Sequence, residues 1–164
     1  MSALQQGPAV VTGGSRGIGR AIALALAARG HDIAINARRL GPESEATVAA
    51  VERLGVRCHA AACDVADPAQ VEAFFAGVEH AIGAPAVLVN NAGLTRDGLL
   101  ASLSVDDIQA VLQANLVGPM LCIQQVLPGM MRARRGCIVN ISSVAAQRPN
   151  RGQSNYAASK GGLE

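Results

Sequence analysis

Short apolar runs rich in β-branched residues alternate five times with stretches of helical spacing, and few folds accept that rhythm. The runs are AVVT (9–12), DIAINA (32–37), RCHAAAC (57–63), AVLVN (86–90) and CIVNIS (137–142). Most of their apolar residues are consecutive rather than alternate, the pattern of a strand covered on both faces. Between them, Ile18, Ile22, Ala25 and Leu26 space a helix over 16–30 that Gly30 closes, and Pro42 precedes a second over 43–54. Asp67 and Pro68 open a third, with Val71, Phe74, Phe75, Val78 and Ile82 on one face. After a polar loop over 91–103, a long helix is expected from 105 to 133, kinked or interrupted at Pro128. A last helix carries Tyr156 and Lys160. Strand–helix alternation of this kind implies an α/β fold, a doubly wound parallel sheet with right-handed crossovers.

Residues 1–164 contain no linker, repeat or low-complexity tract and read as a single domain. A net charge of +2 gives no electrostatic reason for a nucleic-acid or anionic-membrane partner. No run approaches the ~18 apolar residues of a membrane span. The first residues lack a basic stretch leading into an apolar one, so no signal peptide is expected and the expected location is cytoplasmic. There Cys58, Cys63, Cys122 and Cys137, without CxxC spacing, read as reduced thiols packed as small hydrophobes, not as metal ligands. The cluster Arg132, Arg134 and Arg135 reads as favourable charge at a helix C-terminus.

TGGSRGIG (12–19) sets Gly13, Gly17 and Gly19 directly between the first strand and the first helix. At such a junction glycines let the backbone approach a pyrophosphate, and the free amides of the helix start favour the anion. The spacing is GxxxGxG rather than GxGxxG, and an ordinary tight β–α turn would use the same residues. The end of the second strand then separates the nucleotides. An acid there holds a ribose 2′-hydroxyl, whereas this chain has Arg38 and Arg39 and no acid until Glu43. Together with Arg16 in the glycine loop, these guanidiniums suit a 2′-phosphate; the alternative is a solvated surface pair. NADP is the nucleotide expected.

Tyr156, the only tyrosine, and Lys160 share a helix face. A free phenol, with a pKa near ~10, is a poor proton donor at neutral pH. An ammonium held nearby favours the phenolate and brings the group into working range. The same spacing also describes a half-buried tyrosine beside a solvated lysine. Ser142 and Ser143 lie at the end of the fifth strand, where open parallel sheets bind ligands. From Ser143 the loop to Tyr156 is long enough to bring both side chains over one cleft. NNAG (90–93) ends the fourth strand on the same edge, and Asn115 is a costly mid-helix amide unless partnered.

Taken together, TGxxxGxG, the Asp64–Val65 pair, NNAG, the lone helix Asn115, Ser143 and YxxxK resemble the short-chain dehydrogenase/reductases over the whole chain. The resemblance implies a Rossmann-type sheet of order 3-2-1-4-5. It also implies a nucleotide site formed by Gly13, Ser15, Arg16, Gly17, Ile18, Gly19, Arg38, Arg39, Asp64, Val65, Asn91, Ala92, Gly93, Tyr156 and Lys160. Asp64 would contact the adenine and Asn91 would support the central sheet. Ser143 would orient a carbonyl, Tyr156 would donate the proton, and Lys160 would lower its pKa and hold the nicotinamide ribose. Asn115 would anchor a water in a relay to Lys160. Within the family, NNAGLTRDGLL (90–100) and SNYAASKGGLE (154–164) look most like reductases of 3-oxoacyl thioesters. That likeness implies a fatty-acid-synthesis role, a substrate on acyl carrier protein or coenzyme A, and a homotetramer. Steroid, sugar or simple-alcohol oxidoreductases share much of this sequence, and a non-catalytic nucleotide-binding remnant is the other reading. The resemblance implies further strands and a substrate-closing segment after Lys160, so the chain reads as cut short.

Overall fold

The computed structural model describes residues 7–164; the reading of residues 1–6 as free of a signal segment lies outside the described residues. The five runs form strands β1 (Ala9–Val11), β2 (Ile33–Ala37), β3 (Cys58–Ala62), β4 (Val87–Asn90) and β5 (Cys137–Asn140). All pairings are parallel and the order is β3-β2-β1-β4-β5, as the resemblance implied. Successive side chains of a strand point to opposite faces, and the core divides accordingly. Val10, Ala34 and Leu88 join Phe74, Phe75 and Val78 on one side of the sheet. Ala9, Val11, Ile33, Ile35 and Val89 join Ala23, Ala27 and Val51 on the other. Each fully buried Val, Leu, Ile or Phe side chain among them contributes about 1.5–3 kcal/mol of transfer free energy.

Helices α1 (Gly17–Ala27), α2 (Pro42–Glu52) and α3 (Pro68–Ile82) lie where the spacing predicts them. Pro42 and Pro68 occupy the first helical positions, where a missing N–H costs nothing. Asp67 caps α3 by accepting from the amides of Ala69 and Gln70. The expected long helix over 105–133 is continuous and comprises α4 (Val105–Leu112), a π turn (Gln113–Val117) and α5 (Gly118–Ala133), and α6 (Ser154–Gly161) carries Tyr156 and Lys160.

The expectation of a break at Pro128 needs correction. α5 runs through Pro128, and the irregularity is a π turn at Gln113–Val117 between α4 and α5. Pro119 explains it. A proline there has no N–H for the Asn115 carbonyl and its ring crowds that carbonyl, so the ladder shifts to wider bonds such as Gly118 N–H to Gln113 O.

The stretch Val105–Ala133 is also long and apolar enough to cross a membrane by length and composition, although no run of consecutive apolar residues signals it. Cys122, Val126 and Met130 turn one face of it into the core. Of the cysteines, Cys63 and Cys122 are buried and burial pushes their thiols up to about 11 and about 12, but Cys137 is exposed rather than packed.

Candidate active site

The C-terminal ends of β1, β2, β3 and β4 open onto a cavity of about 760 Å³. Its walls are the glycine loop (Gly13, Ser15, Arg16, Gly17, Ile18, Gly19), Asn36–Arg38, Cys63–Ala66 and Asn91–Leu94, with Arg96, Ala110, Gln113 and Ala114 behind. Sequence chemistry explains the shape of the loop. Gly13 and Gly17 adopt left-handed backbone, with φ of 64° and 54°. At Gly19 the demand is for space, since a Cβ would lie 2.4 Å from the Gly13 carbonyl oxygen. α1 then starts at Arg16 with no side-chain cap and no acid in its first turn, leaving its first amides free at the cavity wall.

Side chains that the sequence reading passed over hold this wall together. The Thr12 hydroxyl accepts from the amides of Asn91 and Ala92, both at 3.0 Å, and lies 3.4 Å from the Val89 carbonyl as donor. Asn36, an amide inside an otherwise apolar strand, accepts from Gly13 N–H at 3.0 Å and donates to the Cys63 carbonyl at 2.9 Å. Its polarity within IAINA was the available signal. Thr47, fully buried, donates between the carbonyls of Ser15 and Glu43 and clips the glycine loop to α2. Asn91 donates to the carbonyls of Thr12 (2.8 Å) and Gly13 (3.2 Å), bridging β4 to the end of β1. Asp64 accepts from Ala66 N–H and stands with Val65 in the cavity lining.

Of the expected cations, Arg16 and Arg38 line the cavity, whereas Arg39 is exposed and outside the lining. Arg16 lies 3.8 Å from Glu43, with both side chains more than half exposed. An ion pair so solvated contributes little to stability and leaves the guanidinium available.

The second group of predicted residues sits at the neighbouring edge. Lys160 is 4% exposed, and its ammonium donates to the Ile141 carbonyl at 2.7 Å. It lies 6.0 Å from the centre of the Tyr156 ring, and burial pushes its pKa below the ordinary lysine value. Ser143 caps a short 3₁₀ turn (Val144–Ala146), its oxygen accepting from Ala145 N–H, which leaves its own O–H free to donate. Gly93 joins the two groups: a Cβ there would lie 3.9 Å from Lys160 Nζ and 3.5 Å from Asn115 Oδ1. The Asn115 amide is saturated by protein. It accepts from Leu94 N–H (2.7 Å) and donates to Leu94 O (2.9 Å) and Ser159 Oγ (3.0 Å).

A parallel sheet with an uncapped glycine loop heading its first crossover helix defines a Rossmann-type nucleotide-binding fold. More narrowly, the short chain dehydrogenase family matches residues 8–164, and the chain belongs to that family. It is 44% identical over 155 residues, 94% of its length, to the 3-oxoacyl-[acyl-carrier-protein] reductase FabG of Staphylococcus aureus (strain Mu50). It is 41% identical to the reductase of the same name from Synechocystis over 99% of its length, and 45% identical to that of Bos taurus over 93%. The chain spans 63% of the staphylococcal and bovine relatives and 66% of the cyanobacterial one.

Proposed function

We propose that the protein reduces a 3-oxoacyl thioester to the 3-hydroxyacyl thioester with NADPH, using Tyr156 as proton donor. The observation that carries this is at Gly93, which lines a dinucleotide-sized cavity and adjoins Lys160, whose ammonium lies 6.0 Å from the centre of the Tyr156 ring. The cavity fits the nucleotide on its own terms. Its volume falls within the roughly 300–1,000 Å³ of small-molecule sites. The free amides of α1 suit a pyrophosphate, and Arg16 and Arg38 suit a further phosphate. Arg39 would add charge from outside the wall. When bound, the reduced nicotinamide supplies the hydride.

The chain's own residues account for the rest. Ser143 O–H donates to the substrate carbonyl oxygen and fixes the ketone. Tyr156 gives its phenolic proton to that oxygen as the carbonyl carbon becomes tetrahedral. Lys160 sets positive charge beside the phenol as its proton leaves. Asn115 holds Leu94 and, through it, the cavity wall against α6. The carrier is acyl carrier protein or coenzyme A, the nucleotide site occupies a single domain over 1–164, and the working form is a cytoplasmic homotetramer. The names of the relatives support the substrate class.

The test is NADPH oxidation with an acetoacetyl thioester, run beside Tyr156→Phe. The variant is expected to lose about 10²–10⁴-fold in kcat while binding NADPH as before. Unchanged turnover in Tyr156→Phe would overturn the mechanism.

A further inference from the structure

The backbone of Tyr156 is gripped on both sides by buried polar side chains outside the proposed chemistry. α6 begins at Gln153 without a side-chain cap, so the amides of its first turn need other partners. Tyr156 N–H finds one in Asn155 Oδ1 at 2.8 Å. The same Asn155, 4% exposed, donates through Nδ2 to the Arg96 carbonyl at 2.9 Å. On the other side, Ser159, fully buried, donates to the Tyr156 carbonyl at 2.7 Å. Back-bonding of a serine to a carbonyl one turn earlier is common in helices. The unusual part is its second bond, because Ser159 Oγ also accepts from Asn115 Nδ2, and Asn115 holds both backbone groups of Leu94.

Both routes therefore end on one short piece of chain. Tyr156 N–H reaches Arg96 through Asn155, and Tyr156 C=O reaches Leu94 through Ser159 and Asn115. Two further contacts lie alongside: Gln153 Nε2 to Asp97 at 3.0 Å, and Gly98 N–H to the Gly152 carbonyl at 2.9 Å. Every polar side-chain atom of Asn115, Asn155 and Ser159 has at least one partner in this network. A fully satisfied buried network is rigid, and each member fixes the next.

We propose that Ser159 and Asn155 are positioning residues that clamp Tyr156 to the segment Leu94–Arg96, holding the phenol at a fixed place beside the nucleotide cavity. The inference rests on the proposed role of Tyr156 only for its functional meaning, because the clamp itself can be read without turnover. Tyr156 is the only tyrosine and there is no tryptophan, so tyrosine fluorescence reports this one side chain.

The experiment is iodide quenching of that fluorescence in the full chain, comparing the unsubstituted protein with Ser159→Ala, Asn155→Ala and Ser154→Ala. Ser154 is exposed in the same turn and serves as control. The quenching constant is expected to rise about two-fold or more in Ser159→Ala and Asn155→Ala, because a released network lets the ring move, and to stay unchanged in Ser154→Ala. A cooperative unfolding transition qualifies each variant; if Ser159→Ala shows none, Asn155→Ala carries the comparison from the amide side. Unaltered quenching in a folded Ser159→Ala or Asn155→Ala overturns the clamp and leaves the proton-donor reading standing. Unaltered turnover in Tyr156→Phe does the reverse.

Discussion

β4 and β5 are paired over four residues in register, from Val87↔Cys137 to Asn90↔Asn140, yet they live in different surroundings. Three of the four β4 residues are buried, whereas β5 is exposed at three of its four, with Val139 at 40%. Both read as apolar β-branched runs. What separates them is cover: β4 has a strand on either side and helices on both faces, and β5 is the edge strand of the described sheet. The proposed site straddles this boundary. Its nucleotide half hangs from the buried strands and is shaped by packing and backbone. Its catalytic half follows the exposed strand, and hydrogen bonds donated by Asn115, Asn155, Ser159 and Lys160 hold it.

The contrast can be broken most sharply with alanine at two glycines. Gly19→Ala forces a Cβ to 2.4 Å from a backbone oxygen and is expected to cost about 3 kcal/mol. Gly161→Ala, on α6, meets nothing nearer than 3.9 Å and is expected to be neutral or to stabilise by about 0.5 kcal/mol. Urea midpoints read both, and equal losses would remove the distinction between the two halves. Next in size is the effect of the cations on nucleotide binding. Arg38→Ala should weaken NADPH about ten-fold and NADH hardly at all, by calorimetric titration. Arg39→Ala, outside the cavity lining, should weaken it less than about three-fold.

The smallest effect is a pH dependence confined to the catalytic half. Lys160 has a folded-state pKa below its unfolded value of 10.5 because burial disfavours the ammonium. Between those values the unfolded chain holds more protons, so this residue's contribution to stability rises as pH climbs from the folded pKa towards the unfolded one. At and below the folded pKa the full burial penalty applies. Lys160→Met should flatten that alkaline rise in urea midpoints, and an identical rise in the variant would assign it elsewhere.

Much of the buried half was legible in the sequence, because consecutive apolar residues followed by glycines leave a chain little choice. The glycine loop and the crossover helices follow from such runs, whereas the strand order was implied by the family resemblance alone. The second half was legible in its reactive groups but not in its supports. Asn155 and Ser159 are ordinary helix residues until their partners, the Arg96 carbonyl and Asn115, are known, and no spacing connects Ser159 to Leu94. Thr12, Asn36 and Thr47 escaped for the same reason: each is polar within an apolar setting, a signal that a partner exists but not which one. The interruption expected at Pro128 falls instead beside Pro119, because a proline's effect depends on the carbonyl one turn back. At Pro119 that carbonyl belongs to Asn115, where the π turn forms.

The π turn has a further consequence, one of phase. A residue added to a helix turns everything after it by about 100° relative to everything before. Val111 lies on the near side of the insertion, in the helix that packs against α6; Cys122, Val126 and Met130 lie beyond it, in the helix that packs against α3. The insertion lets one continuous rod face two neighbours that do not lie along one line. Removing a single residue from 113–117 together with Pro119→Ala, which supplies the missing N–H, would restore a regular helix and force a choice between them. Either α5 would keep its seat on the sheet and α4 would rotate away from the tyrosine helix, or the reverse.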